Sequence, residues 1–137
     1  MVTADEAREF VASNHRVVLI TRGSAGGIQA SPVFAGVDGD GKLVISTRET
    51  AYKTRNLRRD PSAVLCVITE TFLGRWLRID GTAEVLALPE AMEPLVDYYR
   101  RVAGEHPDWD EYRQAMRDQR RVLVRITIDR AGPTRGG

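Results

Sequence analysis

The chain has 137 residues, 28% of them charged, and a formal net charge of +1, which is the composition of an ordinary soluble globular protein. This charge balance excludes a strongly basic nucleic-acid-binding domain, and no apolar run reaches the roughly 20 residues that a membrane-spanning helix needs. The acidic, amphipathic N-terminus is unlike a signal peptide, and Cys66 is the only cysteine. We therefore expect one cytoplasmic domain over residues 1–137.

The first third of the chain predicts one helix followed by three strands. Thr3 is placed to cap a helix that has two acids in its first turn. The β-branched and apolar segments that follow predict strands over 16–22, 28–37 and 42–48. Pro32 has no N–H to donate to a ladder, so its strand is expected to be bulged there or to lie at an edge of the sheet.

The segment "AYKTRNLRRDP" (51–61) is the most unusual part of the chain, because it places four cations within seven residues. It predicts a helix with Thr50 as the N-cap, ended by Pro61 at or before Asp60. Lys53 falls in the first turn, where a cation opposes the helix dipole. That position is favourable if a phosphate or carboxylate lies against it, so we interpret the segment as an anion clamp. A solvated charged face is the alternative.

The remainder of the chain predicts three more strands and two more helices. Strands are expected over 62–70, 75–88 and 122–128, with a bulge or bend at Gly81 in the second of them. One helix is expected to open at Pro89 and another to start in "HPDWDEYRQAMRDQRR", and residues 130–137 are expected to form a disordered tail. Six strands, mostly joined by hairpin-length turns, indicate an antiparallel α+β barrel.

Two pairs of polar and aromatic side chains indicate the kind of ligand. Trp76 and Arg78, two apart on one strand, would form a platform for a flat anionic ring. Gln29 and Ser31, two apart on another, would hydrogen-bond the edge of such a ring. With a phosphate at Lys53, these residues predict a flavin-like cofactor. No cluster has metal-ligand spacing, and no catalytic residue stands out.

Several segments carry a family resemblance. "YKTRNLRRDPSAVLCV", "GTAEV" and "GEHPDWDEYRQAMRDQRRVLVRI" closely resemble the pyridoxamine-phosphate-oxidase-like split-barrel proteins. Within that family the sequence is most similar to the deazaflavin-dependent oxidoreductases of actinobacteria, which use coenzyme F-420. The resemblance covers nearly the whole chain. It implies a homodimeric, six-stranded split β-barrel with the coenzyme in a groove at the subunit interface.

The resemblance also implies which residues contact the coenzyme. These fall in the second strand (Gln29, Ala30, Ser31 and Pro32), in the third strand and the basic helix (Ser46, Thr47, Tyr52, Lys53 and Arg55), and in a stretch contributed by the second subunit (Arg75, Trp76, Leu77 and Arg78). His106 and Trp109 are expected either to border the substrate pocket or to serve packing alone.

The function implied by this resemblance is reduction of a small molecule. Reduced F-420 would give a hydride from C5 to a conjugated, electron-poor acceptor such as a tetrapyrrole, a quinone or an unsaturated lactone, with the proton taken from solvent. Two alternatives stay open, an oxidoreductase of the same fold that uses flavin mononucleotide, and a non-catalytic protein that carries F-420. Neither nucleic acid nor membrane is expected as a partner.

Overall fold

The computed structural model describes residues 2–133, which form four α-helices and seven β-strands around one curled sheet. In chain order these elements are α1 (Ala4–Ser13), β1 (Arg16–Arg22), β2 (Ile28–Phe34), β3 (Gly36–Val37), β4 (Leu43–Arg48), α2 (Tyr52–Arg59), β5 (Ser62–Ile68), β6 (Trp76–Leu86), α3 (Met92–Ala103), α4 (Trp109–Asp118) and β7 (Arg121–Gly132). The strands follow the order β2-β1-β5-β6-β7-β4-β3, and every neighbouring pair is antiparallel.

The prediction of six strands is wrong by one, because the segment 28–37 divides into β2 and β3. β2 pairs with β1 and forms one edge of the sheet, so the edge position expected from Pro32 is confirmed. At Ala35 the chain leaves this ladder, and Gly36 pairs instead with Val44 of β4. A Cβ on Gly36 would come within 3.1 Å of Val102 on α3, so this crossing is a site of close packing.

Two hydrophobic clusters hold the helices on the sheet. The concave face contributes residues such as Leu19, Ile45 and Leu65, and α1 closes it with Phe10 and Val11. α3 and α4 cover the convex side of β4 and β7 through a second cluster, which includes Val44, Leu95, Tyr112 and Leu123. Each fully buried Leu or Ile stabilises the fold by about 1.5–3 kcal/mol relative to an exposed one.

The convex face of β2, β1 and β5 stays partly open. On β1 and β5 the outward side chains alternate with buried ones and are half-buried or exposed, and on β2 exposed side chains alternate with half-buried ones. On β2, Ile28 and Phe34 are 73% and 59% exposed. Val18 of β1 lies between Pro32 and Cys66 in the ladders, so the partly open surface is continuous and apolar.

Two of the predicted helix starts need correction. The N-cap of α2 is Ala51 rather than Thr50, and no side chain caps the helix. α3 begins at Met92 rather than Pro89, because Met92 N–H bonds to Pro89 O at 3.1 Å and closes a turn before the helix. The predicted caps by Thr3 and the helix end at Asp60 are confirmed.

The prediction of a disordered tail over residues 130–137 is wrong for residues 130–132, which belong to β7. Residues 134–137 lie outside the described residues.

The bulge expected at Gly81 is confirmed, since the register of β6 against β7 shifts between Asp80 and Gly81. A Cβ at Gly81 would collide with Ile126 and the Thr127 carbonyl. The shift lets Arg130 and Ala131 pair with β6, so this segment is ordered by the ladder.

Candidate functional site

A groove of about 610 Å³ lies between the edge strand β2, the β4–α2 corner and the wall made by α3 and α4. Its lining brings together four of the residues implied to bind a coenzyme, namely Pro32, Ser46, Thr47 and Lys53. The other lining residues are Val33, Phe34, Tyr98, Tyr99, Val102, Ala103, Tyr112, Met116, Gln119 and Arg121. Two of the lining residues are cations and none is a carboxylate, so the groove suits an anionic ligand with aromatic character.

The first turn of α2 presents a cation at one end of this groove. Thr54 Oγ1 donates to Arg48 O at 2.6 Å and fixes the β4–α2 corner from which Lys53 projects. Because Ala51 has no side chain able to accept a hydrogen bond, the first-turn N–H groups of α2 have no side-chain cap. Within residues 2–133, Lys53 makes no ion pair and no side-chain hydrogen bond.

Arg55 and Tyr52 lie on the exposed side of the same helix. The Arg55 guanidinium is 5.9 Å from the centroid of the Tyr52 ring, and it has no carboxylate partner within residues 2–133. Tyr52 is 73% exposed. Both residues stand outside the groove, and Arg55 extends the positive surface that Lys53 begins.

The last turn of α2 is occupied by contacts within the protein. Arg58 binds both carboxylate oxygens of Glu49, at 2.7 and 3.1 Å. Arg59 donates to Arg22 O and to Asn56 Oδ1, each at 3.0 Å. Only the first half of the basic segment is consequently available to a ligand.

A buried polar chain links α2 to the edge strand. Asn56 Nδ2 donates to Thr21 Oγ1 at 3.0 Å, and Thr21 Oγ1 donates to Gln29 Oε1 at 3.4 Å. The Gln29 side chain is thus held in place, although neither Gln29 nor Ala30 lines the groove. Ser31 Oγ is buried and has no hydrogen-bond partner among the described residues. Ser31 also lies outside the lining of the groove.

Two tyrosines in the groove wall are structural rather than acidic. Tyr98 Oη donates to Phe34 O at 2.8 Å, and Tyr112 Oη donates to Leu95 O at 2.9 Å. Burial raises the pKa of Tyr98, and burial also raises the pKa of Tyr112 to about 12. Both phenols are therefore neutral near pH 7, and their protons are already engaged.

Sequence reasoning missed Arg121, which lines the groove at the start of β7. Its Nε donates to Gln119 Oε1 at 2.8 Å, and its partner across the β4–β7 ladder is Arg48. The pairing of these two arginines depends on the register of strands that are far apart in sequence, so the sequence contained no local signal for it.

His106 and Trp109 pack behind the groove wall. Their rings lie 5.7 Å apart, and each ring contacts Tyr99 and Tyr112 at centroid distances of 5.2–5.8 Å. Tyr99 and Tyr112 line the groove, whereas His106 and Trp109 do not. This arrangement agrees with a packing role for His106 and Trp109 rather than a place at the border of the substrate pocket.

The stretch from Arg75 to Arg78 does not reach the groove of its own chain. The Arg75 guanidinium lies 4.9 Å from the centroid of the Phe10 ring. Leu77 is fully buried in the core, so its side chain is inaccessible to any ligand. Trp76 and Arg78 lie on the convex face, and Arg78 binds Asp80 at 2.8 Å. This hydrogen bond is the main cause that lowers the pKa of Asp80.

Between residues 2 and 133, no group of three His, Cys, Asp or Glu side chains is arranged to hold a metal ion. None of the helices in this range is both long and apolar enough to cross a membrane.

The comparison that decides the family is a match over residues 3–134 to the family described as pyridoxamine 5'-phosphate oxidase. The chain belongs to this family. The curled antiparallel sheet, open along one side, is the family's split barrel, here with seven strands. The resemblance noted in the sequence is confirmed at this level.

Solved structures of the same fold differ in what their names report. A conserved hypothetical protein from Mycobacterium tuberculosis is 26% identical, with a TM-score of 0.76 and coverage of 100% of this chain and 94% of that one. A protein named F-420 reductase is 18% identical, with a TM-score of 0.70 and coverage of 91% and 94%. The heme storage protein of Vibrio cholerae is 16% identical, with a TM-score of 0.69 and coverage of 100% and 98%.

Proposed function

We propose that this protein is a deazaflavin-dependent oxidoreductase of the actinobacterial branch, acting in the cytoplasm. In this proposal it binds coenzyme F-420 in the groove and reduces a conjugated, electron-poor small molecule. The observation that carries the proposal is Lys53, a cation without a partner among the described residues at an uncapped helix start in a groove free of carboxylates. A helix N-terminus with an added cation is a phosphate site by its chemistry.

The residues present fit a flavin-like group. Lys53, with Arg55 beside it, would hold the phosphate at the start of α2. When bound, reduced F-420 supplies a hydride from its C5. The aromatic wall of Tyr98, Tyr99 and Phe34 orients flat molecules in the groove. The protons of Tyr98 and Tyr112 are already engaged, and in this proposal solvent supplies the proton that completes reduction.

The acceptor class in this proposal is a tetrapyrrole, a quinone or an unsaturated lactone. Each is a conjugated, electron-poor system flat enough to stack on a coenzyme ring. The similarity in fold to an F-420 reductase supports reductive chemistry, and the heme storage protein of the same fold supports a flat tetrapyrrole among the ligands.

The proposal includes a homodimer, with Arg75, Trp76 and Arg78 reaching the partner's groove. Two features support it: the continuous apolar surface on β2, β1 and β5, and the position of β2 at an unpaired sheet edge. Sedimentation should give twice the 15.3 kDa mass of one chain. A monomer that binds the coenzyme at full affinity would contradict this part.

Flavin mononucleotide is the competing coenzyme, because it too has a planar ring and a phosphate. F-420 also carries a polyglutamate tail, and Arg55, whose guanidinium is exposed outside the groove, is placed to contact such an anionic extension as well as the phosphate. Fluorescence titrations should therefore show tighter binding of F-420 than of flavin mononucleotide. Equal or reversed affinities would remove the F-420 assignment. Turnover with quinone and tetrapyrrole acceptors separates an enzyme from a carrier.

A further inference from the structure

Arg121 is a cation that the proposed coenzyme contacts leave unused. Arg121 is half-buried in the groove. The proposed phosphate contacts are made by two other cations, Lys53 and Arg55. The Arg121 side chain makes one hydrogen bond, from Nε to Gln119 Oε1. Its terminal N–H groups have no carboxylate partner among residues 2–133.

The residue opposite Arg121 makes this arrangement unfavourable without an anion. Arg48 is directly across the β4–β7 ladder, on the same face of the sheet. Like charges that face each other across an antiparallel pair destabilise it. Burial and the Arg48 charge both lower the pKa of Arg121, burial being the larger cause. Glu49, the acid adjacent to Arg48, is bound to Arg58 and neutralises neither arginine.

The surroundings of Arg121 indicate which anion would bind. Tyr98, Tyr112 and Met116 share the groove with it, so an anion here would be attached to an apolar or aromatic body. The planar guanidinium, with Nε already used, keeps its terminal donors for a carboxylate. We propose that Arg121 binds a carboxylate of the substrate, so that the acceptor is a conjugated acid rather than a neutral molecule.

This inference rests on the proposed function, because only an enzyme has a substrate, but its test measures binding and does not require turnover. The probes are a 1,4-naphthoquinone that bears a ring carboxylate and the methyl ester of the same compound. They differ by one charge and share the ring. Their dissociation constants are measured by quenching of protein fluorescence, with and without F-420, and KM and kcat are measured wherever turnover occurs.

Four proteins give the comparison: the wild type, Arg121→Gln, Arg121→Lys and Arg117→Gln. Arg117 is an exposed arginine of α4 outside the groove, so its variant controls for net charge. The wild type should bind the acid about ten- to a hundredfold more tightly than the ester, as one charge-assisted contact would give. Arg121→Gln should lose this preference by weakening acid binding alone, Arg121→Lys should retain part of it, and Arg117→Gln should match the wild type.

The outcomes separate the two proposals. No preference for the acid in the wild type, or equal weakening of acid and ester in Arg121→Gln, would overturn the role of Arg121. A loss of F-420 affinity in Arg121→Gln, with the acid preference intact, would assign the residue to the coenzyme and would also overturn its role in binding the substrate. If F-420 fails to bind but the acid preference depends on Arg121, the coenzyme proposal fails and the carboxylate site stands.

Discussion

The two halves of α2 carry the same charge and have different surroundings. In the first half, Lys53 and Arg55 make no ion pair with any described residue. In the second half, Arg58 is bound to Glu49, and Arg59 to Arg22 and Asn56. The second half of α2 is therefore an anchor, whereas the cations of the first half have no ion-pair partner among the described residues, and charge density alone does not distinguish the two.

The largest effect that tests this contrast is expected for Lys53→Ala. Loss of one charge-assisted hydrogen bond to phosphate should weaken F-420 binding by roughly 1.5–3 kcal/mol, or about ten- to a hundredfold. The fold should be unharmed, because alanine is the better helix former and removes a cation that opposes the dipole. Fluorescence titration measures the affinity, and a thermal melt is the control. Binding equal to the wild type would reduce the segment to a solvated face.

Arg59→Ala is expected to give the converse result. The substitution removes the hydrogen bonds that join the end of α2 to Arg22 O and Asn56 Oδ1, at a cost of about 0.5–1 kcal/mol in the free energy of unfolding. F-420 affinity should not change. Urea unfolding measures the first quantity and titration the second. Weaker binding at unchanged stability would mean that the ligand extends along the whole helix.

The sequence predicted those features of this region that depend on local chemistry. Pro61 marked the end of α2, the run of cations placed Lys53 in its first turn, and Pro32 identified the edge strand. The N-cap was predicted one residue too early, at Thr50 instead of Ala51. The start of α2 depends on where the chain turns away from β4, and the hydrogen bond from Thr54 Oγ1 to Arg48 O fixes that turn.

The features that escaped prediction depend on distant partners. Arg59 could not be matched to Arg22 O, 37 residues away, before the packing of α2 on β1 was known. The pairing of Arg48 with Arg121 follows from the β4–β7 register. The break of the second strand at Ala35 involves distant elements, since Gly36 pairs with Val44 of β4 and lies close to Val102 of α3, and no pattern within 28–37 indicates either contact.

Arg58→Ala should have a smaller effect than Arg59→Ala. The ion pair with Glu49 has two hydrogen bonds but is partly exposed, with 42% of the arginine side chain and 28% of the glutamate side chain accessible. Solvent screening limits such a pair to about 0.5 kcal/mol of stability, and salt reduces it further. Urea unfolding in low and high salt should show a difference from the wild type that shrinks in high salt. A loss above about 2 kcal/mol would show that the corner needs this pair to form.

The smallest effect concerns Asp60, which follows the anchored end of α2. The Ser62 backbone N–H donates to its carboxylate at 3.0 Å and is the main cause that lowers the pKa of Asp60; the Ser62 side chain, Arg22 and Arg59 lower it further. A carboxyl whose pKa is lower in the folded state stabilises the fold fully above its unfolded value of 3.8, and this contribution is lost as pH falls through the folded pKa. Asp60→Asn keeps an acceptor oxygen but removes the charge. Thermal melts should therefore show a small deficit for the variant at pH 7 that narrows below pH 3.8. A deficit of constant size down to the lowest pH would mean that the charge of Asp60 does not stabilise this end of the helix.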